Sequence, residues 1–592
     1  MHTLVLLNSA SPAYTEGSQL ILPYLEHLGV PCTRLDLARA PLPSDVAEHA
    51  LIVVAHRRLD PSGVCLGQAG RLALLAAVRA GSGLVSFDPA LPARAELPRS
   101  GHQSPQLVGD AMQPTRTSSG VQIEAETVGV TAQPHFITAR HASGETLSLV
   151  GPLRVPPLAA DASAALVTTG GRPLVAATAL GQGRVVQWAT SDWLHTDILG
   201  PLAGLDDVLW RGLVWAARKP FAMRGLPPLV AMRVDDVVGQ GTLWRQSPLY
   251  WVHTANRHGF RPWLGLFIYN LTEPAINELR DLTQRGQVTA FPHAFGRPVG
   301  HGYYYEGALP IRAAMGDAYI YFDHQRGRPL ANDEAAWRLA AVDAWYAAHA
   351  PLPMSCYAIP HWYEMGSNVV AHVHDRWGAE FIGKVQDVDA PLADEVPWLK
   401  SGPFRRYEEP GTCLFDPARR GDRPVYYADF VNFGGRRLFN CVTEIRDDAG
   451  YEWAPDKDVA ATVGRGVRQL RRALDSMALA VLFTHETDYI YKIRPDVWAK
   501  EMEQITAGIG GYDPIYVTLD EGVRYVRATR TSRLKSCRCD VATGEITAIF
   551  DGYADVPTHF YLFTEAGGEI APELVGVPAF QGEVVVTHKI WR

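Results

Sequence analysis

The sequence predicts a multidomain α/β protein of three units. They are an α/β sandwich over residues 1–222, a distorted (β/α) barrel over 223–528 and a small β-sandwich over 529–592. Three observations carry this. At 592 residues the chain is long for one core, since domains usually span about 100–200 residues. Apolar runs alternate with helical stretches through the first two units, which marks βαβ units and a parallel sheet. The last unit alternates without a helical pattern and places Gly and Pro between its runs.

The first unit opens with a strand at Thr3–Leu7, a helix over Ser18–Leu28 and a second strand near Arg34–Leu37. Leu51–Ala55 is a third strand, Gln68–Arg79 a helix ended by Gly81 and Gly83, and Leu84–Phe87 a fourth strand. Short β runs follow at Val121–Ala125, Leu174–Ala177 and Arg184–Thr190, and a helix over Asp206–Arg218 closes the unit. The second unit carries apolar strands at Leu229–Val234, Trp263–Tyr269, Gln287–Phe291, Met354–Ile359, Glu380–Val385, Ala478–Thr484 and Ile515–Thr518. Helical stretches separate several of them. One runs from Asn332, a cap candidate, to His349, with Trp337, Ala341, Ala344, Trp345 and Ala348 as its apolar stripe. In the third unit Glu545–Phe550, His559–Phe563 and Glu583–Ile590 read as antiparallel strands.

Composition excludes several classes. Lys and Arg number 55 against 63 Asp and Glu, a formal charge of −8. A nucleic-acid clamp needs a basic face, so no nucleic-acid partner is expected. With 47% hydrophobic residues the chain is not mainly disordered. No window reaches the ~18 uninterrupted apolar residues of a transmembrane span. The start, Met1-His-Thr-Leu-Val-Leu-Leu7, lacks a basic segment and a small-residue cleavage site. The expectation is a cytoplasmic chain, or an extracytoplasmic one if a leader has been trimmed. Seven cysteines suggest no disulfide framework, and Cys537 and Cys539 have no second pair with which to bind zinc. The oligomeric state and the role of the first unit stay open.

Candidate chemistry sits at the ends of middle-unit strands, where a barrel places its active site. Arg233-Val-Asp235-Asp236 ends an apolar strand in two carboxylates, which are costly to bury unpaired. A metal explains the pair: one Asp binds it and the other accepts a proton. Phe291-Pro-His293, Tyr321-Phe-Asp-His324, Ile359-Pro-His361-Trp362-Tyr363-Glu364 and Phe483-Thr484-His485-Glu486 add four histidines. Five segments of one barrel carrying such groups point to a shared metal site. Tyr303, Tyr304, Tyr305, Trp362 and Tyr363 offer flat apolar faces that suit sugar rings, or pack the core.

Two resemblances extend this reading. Gly181-Gln-Gly-Arg-Val-Val-Gln-Trp188 and Asp206-Asp-Val-Leu-Trp-Arg-Gly-Leu-Val-Trp215, with the strand order, resemble the class I glutamine-amidotransferase-like fold of the trehalose-utilisation type. Gly63-Val-Cys65-Leu-Gly67 matches that fold's nucleophile elbow by letters. The elbow needs a strand directly before the cysteine, and here a polar loop precedes it. Cys65 is therefore expected at a helix N-terminus in a catalytically silent domain.

The Asp235-Asp236 strand end and the Phe483-Thr484-His485 strand end resemble the first and last motifs of the polysaccharide deacetylase family, NodB-like and related to carbohydrate esterase family 4. The resemblance implies a distorted barrel and a divalent metal, most simply Zn2+. It implies removal of N-acetyl groups from an amino sugar or N-acetylated polysaccharide. Asp235 is then the general base, Asp236 a metal ligand and His485 the general acid. The family's His-x-x-x-His departs here, since His293 is followed four residues later by Arg297. The second histidine ligand is then His324 or His301, with His324 preferred for its apolar approach. The family's Arg-x-Pro also departs, reading Ala358-Ile-Pro360-His361. Arg233 stands in for that arginine, and His361 contacts the metal or the substrate. With Trp362, Tyr363 and Tyr304 they complete the expected substrate-binding set. Other readings are a hydrolase of a non-sugar amide on the same barrel and a non-catalytic carbohydrate-binding protein.

Overall fold

The computed structural model describes residues 1–91, 123–158, 164–195, 198–202, 204–239, 241, 247–296, 319–324, 326–361, 365–382, 428–441, 443 and 453–590. Within them the chain is a mixed α/β protein built on several sheets.

The first sheet has nine strands: β1 (Thr3–Leu7), β2 (Cys32–Asp36), β3 (Leu51–Val54), β4 (Gly83–Ser86), β5 (Ile123–Val130), β6 (Thr146–Val155), β7 (Ala165–Thr169), β8 (Arg172–Leu180) and β9 (Gly183–Trp188). Their order is β2-β1-β3-β4-β9-β8-β7-β5-β6. The half from β2 to β9 is parallel. β8, β7, β5 and β6 then continue it antiparallel. The expected parallel sheet is thus half of a mixed one. The helix Asp206–Ala216 packs close enough that a Cβ on Gly83 would sit 2.2 Å from the Ala216 carbonyl oxygen. Gly83 is required by this approach rather than by a helix end. Cys65 lies in the loop before the helix Gly67–Arg79, not behind a strand. The Asp60 carboxylate accepts its N–H and those of Leu66 and Gly67 at 3.0–3.1 Å, which holds the loop at the helix N-terminus.

β10 (Phe221–Met223) leaves this unit, and β11 (Leu229–Val237) begins the second. β11, β12 (Pro262–Phe267), β13 (Thr289–Ala294), β18 (Ala480–His485) and β19 (Ile515–Tyr516) form a parallel sheet. β11 is its centre and is buried at every position, as expected of a strand covered on both faces. β14 (Tyr357–Ala358), β15 (Phe381–Ile382), β16 (Ala428–Phe433) and β17 (Arg436–Cys441) form a separate four-stranded sheet. Ser355 N–H donates to the Ala290 carbonyl at 2.7 Å and bridges the two sheets. The helix Leu519–Thr531 joins them as well. It starts in a capping box between Thr518 and Glu521, and Asp520 accepts the Cys356 N–H at 3.0 Å. Among the described residues the strands do not close into a barrel. In place of the expected (β/α) barrel, the described residues show a parallel sheet and a mixed four-stranded sheet, in which β16 runs antiparallel to β17, held together by a helix.

The helix expected over Asn332–His349 spans Asn332–Ala348. Asn332 does not cap it; its side-chain oxygen accepts from Asn368 at 2.9 Å instead. The buried stripe is Ala335, Leu339, Val342, Trp345 and Tyr346, while Trp337 is 39% exposed. The stripe is rotated from the expected one, with Leu339 and Val342 facing the core in place of Trp337 and Ala341.

The third unit has β20 (Ser532–Asp540), β21 (Glu545–Ala554), β22 (Thr558–Ala566), β23 (Glu569–Val577) and β24 (Phe580–Lys589). One antiparallel sheet is β20-β21-β24 and the other β10-β22-β23. Ala222, Leu534, Cys537, Phe550, Phe560 and Val577 share one apolar core. The segment entering the second unit is therefore an edge strand of the third. Arg224, buried, donates to Ser532 Oγ at 2.6 Å and Thr558 Oγ1 at 2.9 Å and fastens this crossing. No helix of the described residues is long and apolar enough to cross a membrane.

Candidate metal centre

Side chains alternate along a regular strand, so Asp235 and Asp236 should point to opposite faces. β11 breaks its register with β12 at this point. Val234 pairs with Leu264 and Val237 with Leu266, so β11 carries one extra residue. Asp236 has φ of 55°, a left-handed conformation that Asp reaches more easily than most residues. The bulge brings both carboxylates to one histidine: His293 Nε2 lies 3.7 Å from Asp235 Oδ2 and 3.5 Å from Asp236 Oδ1. β13 has a matching irregularity. Leu266 pairs with Pro292 and Phe267 with Ala294, which leaves His293 as the bulged residue. Bulges of this kind re-aim side chains beside functional sites.

Asp236, His293 and His361 form one buried group whose candidate ligand atoms all lie within 4.8 Å of one another. His361 Nδ1 is 3.2 Å from Asp236 Oδ1. The segment that supplies His361 also orients His293, whose Nδ1–H donates to the Ile359 carbonyl at 2.6 Å. That bond fixes the tautomer and leaves Nε2 as the atom facing the carboxylates. Phe267 lies 6.2 Å from the His293 ring and 5.4 Å from the His361 ring, and Tyr319 stacks on His361 at 5.5 Å. Gly265 is needed here. A Cβ on it would meet His293 Cγ at 3.1 Å and Asp235 Cα at 3.3 Å.

Charge is arranged around this group. Arg233, fully buried, donates from Nε to Asp235 Oδ1 at 2.9 Å and pairs through its other nitrogen with Oδ2. Its guanidinium also lies 4.1 Å from the Phe483 ring centre. Burial raises the Asp235 carboxyl, but the surrounding charges and hydrogen bonds, Arg233 first among them, together hold the group below its ordinary range. Asp236 is held low in the same way, with His361 as the main opposing influence. Burial pushes His293 down to about 4 against the pull of Asp235, so its ring is neutral at pH 7. A neutral Nε2 and a carboxylate facing each other in a buried site are two acceptors without a shared proton. A divalent cation suits that arrangement, and a two-histidine, one-carboxylate set is a common zinc set.

His485 ends β18 directly opposite Asp235 in the parallel register. It is close enough for its charge to lower both aspartates. Glu486 follows His485 in sequence and faces the exit of β11. It accepts the N–H groups of Val238 at 2.6 Å and Gly239 at 3.0 Å and the Trp251 indole N–H at 2.9 Å. Burial pushes it up to about 7 despite these donors.

The expected ligand set is corrected at one position. His324 is not part of the converging group. Its ring packs 4.4 Å from Tyr319, which in turn stacks on His361, so an aromatic ring separates it from the centre. The apolar approach that favoured His324 builds this packing. His361, expected to touch metal or substrate, occupies the third position. His301, Tyr303, Tyr304, Tyr305, Trp362 and Tyr363 lie outside the described residues. Sequence reasoning missed Gly265, although a glycine inside an apolar strand is a recognised sign of close approach. It also missed the role of Ile359, which acts through its backbone and leaves no side-chain signal.

No family model matches the chain, and no curated protein matches it. Solved structures similar to parts of it include two cytoplasmic proteins from Salmonella typhimurium. STM3548 is 13% identical with a TM-score of 0.24, over 37% of this chain and 99% of that one. STM1381 is 14% identical with a TM-score of 0.23, over 37% and 97%. The exo-beta-1,4-mannosidase Op5Man5 from Opitutaceae bacterium strain TAV5 is 18% identical with a TM-score of 0.19, over 36% of each chain. Likeness at this level decides neither fold nor activity.

Proposed function

We propose that the protein is a metal-dependent amide hydrolase that removes N-acetyl groups from an amino sugar or an N-acetylated polysaccharide. One observation carries the reading. A buried Asp236, His293 and His361 group able to hold a metal ion lies beside a second carboxylate, Asp235, clamped by Arg233. The sugar assignment rests on the resemblance of the Asp235-Asp236 and Phe483-Thr484-His485 strand ends to deacetylase motifs.

Asp236, His293 and His361 would hold the metal, and Zn2+ fits their nitrogen and oxygen donors best. When bound, such an ion polarises an amide carbonyl and lowers the pKa of water toward about 7. Asp235 stays ionised and aimed, and takes the proton of the attacking water. Its clamp by Arg233 prevents the carboxylate from turning away as the proton arrives. His485, opposite Asp235 in the sheet, protonates the amine nitrogen as the carbon–nitrogen bond breaks. The products are acetate and a free amine. Leaving the nitrogen unprotonated would expel an amide anion, a very poor leaving group.

Acetate release from N-acetylated glucosamine oligomers tests the assignment. Asp235→Asn and His485→Ala are each expected to lower the rate by roughly 100-fold or more, with metal content unchanged. Unchanged rates in both variants would overturn the acid–base assignment. Turnover of simple acetanilides but no sugar would move the substrate to non-sugar amides.

A further inference from the structure

A second site lies at the other end of the central sheet. A cavity of about 510 Å³ opens where all three units meet, a size ordinary for small-molecule sites. Phe136 and Trp210 come from the first unit, Pro228 and Tyr512 from the second, Phe563 and Ile570 from the third. Pro228 directly precedes β11, while Asp235 and Asp236 are near its far end. At ~3.3 Å per residue the two sites stand about 20 Å apart.

The walls are mainly apolar, yet two guanidiniums border them. Arg140 lies 4.0 Å over the Tyr512 ring and Arg211 4.5 Å over the Trp210 ring. Burial first, and the nearby charge of Arg140 after it, make Arg211 harder to keep protonated against the pull of Asp207. Arg211 is only 8% exposed. One of its N–H groups reaches the Phe136 carbonyl at 3.3 Å, while Nε, closed off from solvent, has no hydrogen-bond acceptor among the described residues. Its nearest carboxylate oxygen, on Asp207, is 4.0 Å away. Asp475 on the wall is occupied, accepting the Tyr512 hydroxyl at 2.6 Å. Asp513 is exposed to solvent. Two guanidiniums bordering one apolar chamber call for an anion carried on an apolar body.

We infer that this junction binds a small apolar or aromatic organic acid, with the acid group between Arg140 and Arg211 and the apolar body against Trp210, Tyr512 and Phe563. A polyol fits worse, because its hydroxyls would face aliphatic and proline walls without partners. The inference does not depend on the proposed hydrolase activity.

Fluorescence titration of the full chain with 8-anilinonaphthalene-1-sulfonate tests this, beside its uncharged parent 1-anilinonaphthalene. The expected result is saturable binding at one site per chain, at least about tenfold tighter for the sulfonate. Arg140→Gln should remove that preference. Leu574→Trp, which fills the cavity mouth without changing charge, should abolish binding of both probes. Cooperative thermal unfolding of each variant shows that it is folded, and either folded variant suffices for the judgement. EDTA should change nothing. Equal affinity for the two probes, absence of saturable binding, or binding unchanged in a folded variant would each overturn the inference.

Discussion

Asp235 and Asp236 are neighbours in sequence with different surroundings. Asp235 answers to Arg233, and Asp236 to two histidines. The consequence for stability is direct. Arg233→Met leaves the Asp235 carboxylate buried without its cation, and removing one partner of a buried pair typically costs about 3–5 kcal/mol. Urea unfolding of the metal-free protein should show a loss of that order; a change below ~1 kcal/mol would mean the pair is not structural. His293 gives a pH signature. Its ordinary value of 6.5 falls to about 4 on folding, so between these values the unfolded chain binds a proton that the folded chain does not. The stability associated with the neutral ring is complete above pH 6.5 and is lost as pH falls toward 4. Metal-free His293→Gln should unfold with a shallower pH dependence in that window, and an identical slope would contradict the assignment. At this scale much was legible. Asp235, Asp236, His293, His361, His485 and Arg233 were all singled out from strand ends, because such groups are expensive to bury without a purpose. His324, preferred over His301 as second histidine ligand, is not in the converging group, where His361 stands instead; which side of Tyr319 each ring lies on is encoded by no local pattern.

The elements matter through their irregularities. β11 and β13 each carry an extra residue at the centre, and β12 between them carries Gly265. The strands themselves could be read from apolar runs, as at Thr3–Leu7, where the expected and observed ends coincide. The bulges could not, since a bulge appears only when a partner strand sets the register. Gly265→Val therefore tests the element. The added side chain must displace His293 or the Asp235 backbone, so metal affinity should fall roughly tenfold or more, by competition with a chromophoric chelator. Wild-type affinity would show that the strands are not so tightly matched.

Across the whole molecule, order in sequence and order in space diverge. β10, beside the first unit in sequence, belongs to the sheet of β22 and β23, and Arg184 of the first unit pairs with Glu565 of the third. The changes in periodicity along the chain were legible; the pairing across them was not, because it depends on distant residues. Removing residues 529–592 would strip β10 of its partner and expose Phe221, Ala222 and Met223, all fully buried. That shortened chain should aggregate or unfold at lower urea than the full chain. Solubility and a urea midpoint equal to the full chain would contradict the interlocked fold.

The most direct test of the central claim is metal content, by elemental analysis after incubation with excess zinc and removal of the free ion. About one divalent ion per full-length chain is expected, lost in Asp236→Ala and in His361→Ala and retained in His324→Ala. No bound metal in the wild-type chain, or metal that survives His361→Ala and is lost in His324→Ala, would contradict the centre described.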